Sequence, residues 1–115
     1  MHPPIELTFR GLAPSDAISE YVHKKAEKLE SSFDRITSCR IAIEAPQHHH
    51  RHGGMPYRVR IDLHVPGHEV VSGDHPSNDA THADLYAAVD DAFRDAQRML
   101  HDLAEKRRDD KRRPA

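Results

Sequence analysis

His64-Val65-Pro66-Gly67-His68-Glu69-Val70-Val71 is two short β runs joined by a Pro-Gly turn. After a polar segment, Ala83-Asp84-Leu85-Tyr86-Ala87-Ala88-Val89-Asp90-Asp91-Ala92-Phe93 opens a long amphipathic helix. A hairpin feeding such a helix implies one sheet with a helix laid across it. The surface that this helix leaves outward is then the first place to look for function.

Upstream of the hairpin, Tyr57, Val59, Ile61, Leu63 and Val65 alternate with Arg58, Arg60, Asp62 and His64, which predicts a half-buried strand. A second strand is expected over about Ile36–Ala45, where Cys39, Ile41, Ile43 and Ala45 form one face. Between them, Pro46-Gln47-His48-His49-His50-Arg51-His52-Gly53-Gly54 is a loop by composition. Ile5-Glu6-Leu7-Thr8-Phe9-Arg10 alternates strictly and is the first strand.

Ser15 is the expected N-cap of a helix over Ala17–Ser31, with Asp16 at the positive end of its dipole. Ile18, Tyr21, Val22, Ala26 and Leu29 make its apolar stripe, and Lys24, Lys25 and Lys28 fall outside it. Glu20 and Glu27 stand at helical spacing from Lys24, within reach of weak ion pairs. The last helix is expected from His82 to at least Leu103, its stripe formed by Leu85, Ala88, Val89, Ala92, Phe93, Ala96, Met99, Leu100 and Leu103. The order β-α-β-β-β-α predicts an α+β two-layer sandwich: a four-stranded, mostly antiparallel sheet with two helices on one face. Arg40, Arg58, Arg60 and His64 should line the other face. Residues 1–105 form the single domain, and the basic segment 106–115, without apolar partners, is expected to be a disordered tail.

The 115 residues suit one domain with a modest core, 37% hydrophobic and 31% charged, with no Trp. No apolar run nears the roughly 18 residues of a membrane span. Met1-His2-Pro3-Pro4 has neither the basic start nor the apolar stretch of a secretory signal. Cys39, the sole cysteine, has no disulfide partner within the chain, so a cytoplasmic location is expected. Net charge is −2, but residues 105–115 hold six basic against three acidic groups, leaving 11 basic against 16 acidic elsewhere. Eleven histidines add to this, since a modest fall in pH makes the whole more positive. Net charge does not name the partner.

Three features taken together do. The element order with the hairpin His64–Val71, the opening Asp84-Leu85-Tyr86-Ala87-Ala88-Val89-Asp90, and Ile18-Ser19-Glu20-Tyr21-Val22-His23-Lys24-Lys25-Ala26-Glu27-Lys28-Leu29-Glu30 resemble the ribosome hibernation-promoting factor family. That family includes the ribosome-associated inhibitor A proteins and was once labelled sigma-factor modulation protein. The resemblance spans about residues 5–105. It implies a topology akin to double-stranded-RNA-binding domains and a seat in the messenger- and transfer-RNA channel of the small ribosomal subunit. Translation would be blocked there by occupancy, as part of a stress or stationary-phase response, without chemistry, cofactor or small-molecule substrate. Basic side chains on both helices would meet ribosomal RNA phosphates.

By the same resemblance, Lys24, Lys25 and Lys28 match the family's basic positions on the first helix, and Arg98 and Lys106 match those on the second. Asp95 and Asp102 depart from it, standing where lysine is common, and Arg94 and the tail Lys106-Arg107-Arg108 are the expected compensation. Longer members add a C-terminal dimerisation domain; this chain corresponds to the short form, expected as a monomer or weak dimer.

The remaining signals have plainer readings beside the sharp ones. His48, His49, His50 and His52 invite a metal, but no tetrahedral ligand spacing accompanies them, and a solvated loop is the favoured reading. The alternative function is a diverged family member acting as a His-rich metal-responsive or protein-interaction module. His64 and His68 flank the hairpin turn without a catalytic partner. Cys39 belongs to the inward set of its strand. Tyr86 is expected on the flank of the apolar stripe, half-buried, with base stacking as the sharper option. No nucleophile elbow or related spacing is present, and no enzymatic activity is expected.

Overall fold

A computed structural model describes residues 4–45, 57–73 and 85–112. The expected helix start at His82 and the histidine run 48–52 lie outside them. The strands are β1 (Ile5–Arg10), β2 (Ser38–Glu44), β3 (Arg58–Val65) and β4 (His68–Ser72), and the helices are α1 (Asp16–Ser32) and α2 (Leu85–Arg112). Sheet order is β1-β2-β3-β4. β1 pairs with β2 in parallel, so α1 serves as the crossover, and the other two pairings are antiparallel.

Local chemistry accounts for each boundary. The Ser15 hydroxyl accepts from the Ile18 N–H at 3.3 Å, as an N-cap does, and Asp16 occupies the first turn. In the hairpin, Pro66 takes the first corner and Gly67, at φ +83°, the second, the signature of a type II turn. α2 continues beyond residue 105, where the sequence predicts the domain to end and a disordered tail to begin. Residues 106–112 are helical. Leu103 to Arg112 contains no Gly or Pro and is rich in Ala, Glu, Lys and Arg, all good helix formers. The Arg107 guanidinium adds a long hydrogen bond, 3.5 Å, to the Pro66 carbonyl in the hairpin turn. Propensity with one tertiary tie carries the helix where apolar periodicity had stopped.

The core is a single cluster between sheet and helices. Ile41, Ile43, Ile61 and Leu63 supply the sheet side; Ile18, Val22, Ala26 and Leu29 come from α1, and Ala88, Val89, Ala92, Phe93, Ala96 and Leu100 from α2. The alanines at 88, 92 and 96 let the α2 backbone come close to the sheet, where the buried Ser72 hydroxyl donates to the Ala92 carbonyl at 2.9 Å. The two helices run side by side with the same polarity: Tyr21 meets Tyr86, Lys25 meets Asp90, and Phe33 meets His101.

Cys39 sits in this core as expected, 1% exposed. Burial pushes its thiol from 9.0 up to about 12, and the charge of buried Glu30 adds to the rise. A raised thiol pKa favours the neutral form in the folded state, so this contribution to stability is whole below pH 9 and is lost as pH climbs towards 12. The native chain should therefore resist a thiol-reactive dye at pH 8 and react at once in guanidinium. Fast native labelling would contradict this packing.

Candidate ribosome-binding surface

The two faces of the sandwich differ electrically. On the open sheet face Arg40, Arg58, Arg60 and His64 are exposed, as the alternation predicts. Three of them face carboxylates: Arg40–Glu6 at 3.2 Å, Arg60–Asp62 at 3.3 Å and His64–Glu69 at 3.1 Å. The register Glu6↔Arg40↔Asp62 and His64↔Glu69 places opposite charges on neighbouring strands. His64 thus turns to Glu69 rather than to His68 across the turn. Among the described residues, no group of three His, Cys, Asp or Glu side chains is placed to hold a metal ion.

On the helical side, the eight expected cations divide into two classes. Lys25 is half-buried, its Nζ 2.9 Å from Asp90 Oδ1, and the Tyr21 hydroxyl donates to the same oxygen. Burial pushes the Asp90 carboxyl up, but those two hydrogen bonds and the charges of Lys25 and Arg94 outweigh it and hold the group below the ordinary range. Arg94 closes on Asp91 at 2.9 Å, one helical turn back. Arg98 is held by Asp95 through a short hydrogen bond and by Asp102 at 3.8 Å. The Asp95 hydrogen bond and charge, with Asp102 behind them, raise the Arg98 guanidinium further above its ordinary value. Arg107 reaches back to the hairpin turn.

Lys24, Lys28, Lys106 and Arg108 are exposed and carry no ion pair among the described residues. The anticipated Glu20–Lys24 and Glu27–Lys24 pairs are likewise not closed. Helix geometry puts Lys24 and Lys28 one turn, about 6 Å, apart on the outer face of α1. Asp95 and Asp102, which stand where lysine is common in the family, lie three and four positions from Arg98, a spacing that already marks them as its partners. Asp90 had no comparable signal, because its partners lie on the other helix, 65 and 69 positions away.

This arrangement, an α+β sandwich presenting a helical face of counter-balanced ion pairs and exposed lysines, is that of a binding domain. The comparisons agree. The family described as "Sigma 54 modulation protein / S30EA ribosomal protein" matches residues 5–108, and the chain belongs to that family. Its members are ribosome-associated translation regulators, not enzymes. A ribosome hibernation promoting factor of Azotobacter vinelandii is 33% identical over 86 residues, covering 75% of this chain and 68% of that protein. Its Pseudomonas putida counterpart is 30% identical over 89 residues, or 77% and 74% of the two chains. Among solved structures, the Thermus thermophilus Protein Y N-terminal domain superposes with a TM-score of 0.64 at 26% identity, covering 90% of this chain and 99% of that one. A ribosomal subunit interface protein from Coxiella burnetii gives 0.70 at 20% identity, over 88% and 97%, and shares the fold. The α+β topology predicted from the element order is thereby borne out, as is the family. Among the described residues no helix is long and apolar enough to cross a membrane.

Proposed function

We propose that this chain is a translation inhibitor that occupies the messenger- and transfer-RNA channel of the small ribosomal subunit in the cytoplasm, acting as a monomer or weak dimer. Lys24 and Lys28 on α1 would contact ribosomal RNA phosphates first, with Lys106 and Arg108 at the far end of α2 as a second anchor. Arg94, Arg98 and Arg107 would join only by leaving their present partners, and Lys25 would chiefly hold the helix seam. The observation that carries this reading is the pair of exposed, ion-pair-free lysines on the first helix of a domain matched to its family almost end to end.

Contacts of this kind are ionic and follow shape rather than base sequence. The full chain should co-sediment with purified small subunits at low salt and leave them progressively as salt rises. A chain that stays at the top of the gradient at low salt refutes the proposal. One observation favours the alternative of a diverged, metal-responsive or protein-interaction module: the carboxylates that neutralise Arg94 and Arg98 on the outer face of α2. The same gradient decides between the two.

A further inference from the structure

Tyr86 is the one large apolar side chain left exposed among the described residues, at 42%. It is nevertheless braced. Tyr21 from α1 meets it edge to face, with ring centroids 4.9 Å apart and planes at 80°. Tyr21 is itself locked, its hydroxyl on Asp90 and the Lys25 ammonium 5.4 Å from its ring centroid. The base of Tyr86 is therefore held while two-fifths of the residue faces water. Along α1, Lys24 and Lys28 stand three and seven positions beyond Tyr21, at the outer edge of the apolar stripe that Tyr21 borders, and both are exposed.

A fixed aromatic ring beside a short row of cations fits one chemistry: a nucleobase out of its stack, its flanking phosphates on the ammoniums. We propose that Tyr86 is a stacking platform for an unpaired base of ribosomal RNA. The proposal rests on the ribosome reading above and narrows it, because a paired base inside an A-form helix presents no free face to a side chain. The target is a loop, bulge or single strand.

Salt separates stacking from ionic contact. Tyr86→Ala should weaken binding to small subunits about 5- to 100-fold at fixed salt, with the slope of log affinity against log salt unchanged. Tyr86→Phe, which keeps the ring and its contact with Tyr21, should restore affinity, and Tyr86→Leu should not. The chain has no Trp, so Tyr86→Trp introduces its sole indole, whose emission should be quenched by small subunits and by protein-free small-subunit RNA. Quenching by subunits alone would assign the ring to a ribosomal protein and overturn base stacking. Equal affinity of Tyr86→Ala and the wild type would overturn the platform alone. Failure of the wild type to bind at all would overturn the ribosome reading, and this one with it.

Discussion

Replacing Lys24 and Lys28 together by glutamate should weaken binding to the small subunit about a thousandfold at physiological salt. A lysine about 4 Å from a phosphate in water gains about 1 kcal/mol, so reversing its charge changes the interaction by about 2 kcal/mol. Two such sites make about 4 kcal/mol, roughly three decades of affinity. The salt slope should fall by about two contacts' worth. Stability should hardly move, because neither side chain is in the core or in an ion pair among the described residues. A double variant that sediments with subunits as the wild type does would remove α1 from the interface.

Lys25 makes an informative control. Its charge is spent on Asp90 and on the ring of Tyr21, so Lys25→Ala should loosen the helix seam and lower the melting temperature. The four residues Lys24–Lys25–Ala26–Glu27 thus hold an exposed cation proposed to meet RNA, a structural tie, a core side chain and a solvated charge on successive sides of one turn.

Much of this was legible in the sequence, and the boundary falls along a physical line. Period-2 alternation in β1 and β3 and the apolar stripes of both helices record burial directly, so the core and its faces could be read residue by residue. Ser15 and Pro66-Gly67 marked their cap and turn because each acts within a few residues. What periodicity cannot give is what lies opposite. It put Tyr21 in the apolar stripe of α1 and Asp90 on α2, but their meeting depends on the two helices lying parallel, which follows from the parallel β1–β2 pairing. The reach of α2 past Leu103 has another basis: its last turns are held by propensity and one hydrogen bond to the hairpin, neither of which leaves an apolar signature. The pairing of Arg98 was written in its own helix and could have been read from spacing alone.

Gly73→Ala should be strongly damaging, lowering stability by about 3 kcal/mol and the melting temperature by roughly 10 °C. Gly73 follows β4 at φ +72°, where an L side chain is strained by about 1–2 kcal/mol. A Cβ there would also lie 1.9 Å from the Val59 carbonyl oxygen and 3.4 Å from the Ala92 Cβ. The first neighbour is backbone of the central strand β3, and the second belongs to α2, so neither can swing aside as the end of a long side chain could. The added methyl must push β3 and β4 apart or lift α2, and lifting α2 breaks the neighbouring Ser72–Ala92 hydrogen bond. Gly67 supplies the contrast within the same sheet. Its φ is +83°, yet nothing lies within 4 Å of the position its Cβ would take. Gly67→Ala should therefore cost only the backbone strain, about 1 kcal/mol. Thermal melts of the two variants side by side separate strain from collision. Equal losses would mean that α2 does not close on the end of β4 as tightly as the Gly73 contacts require, and the helical face would then be less firmly fixed than the proposed surface needs.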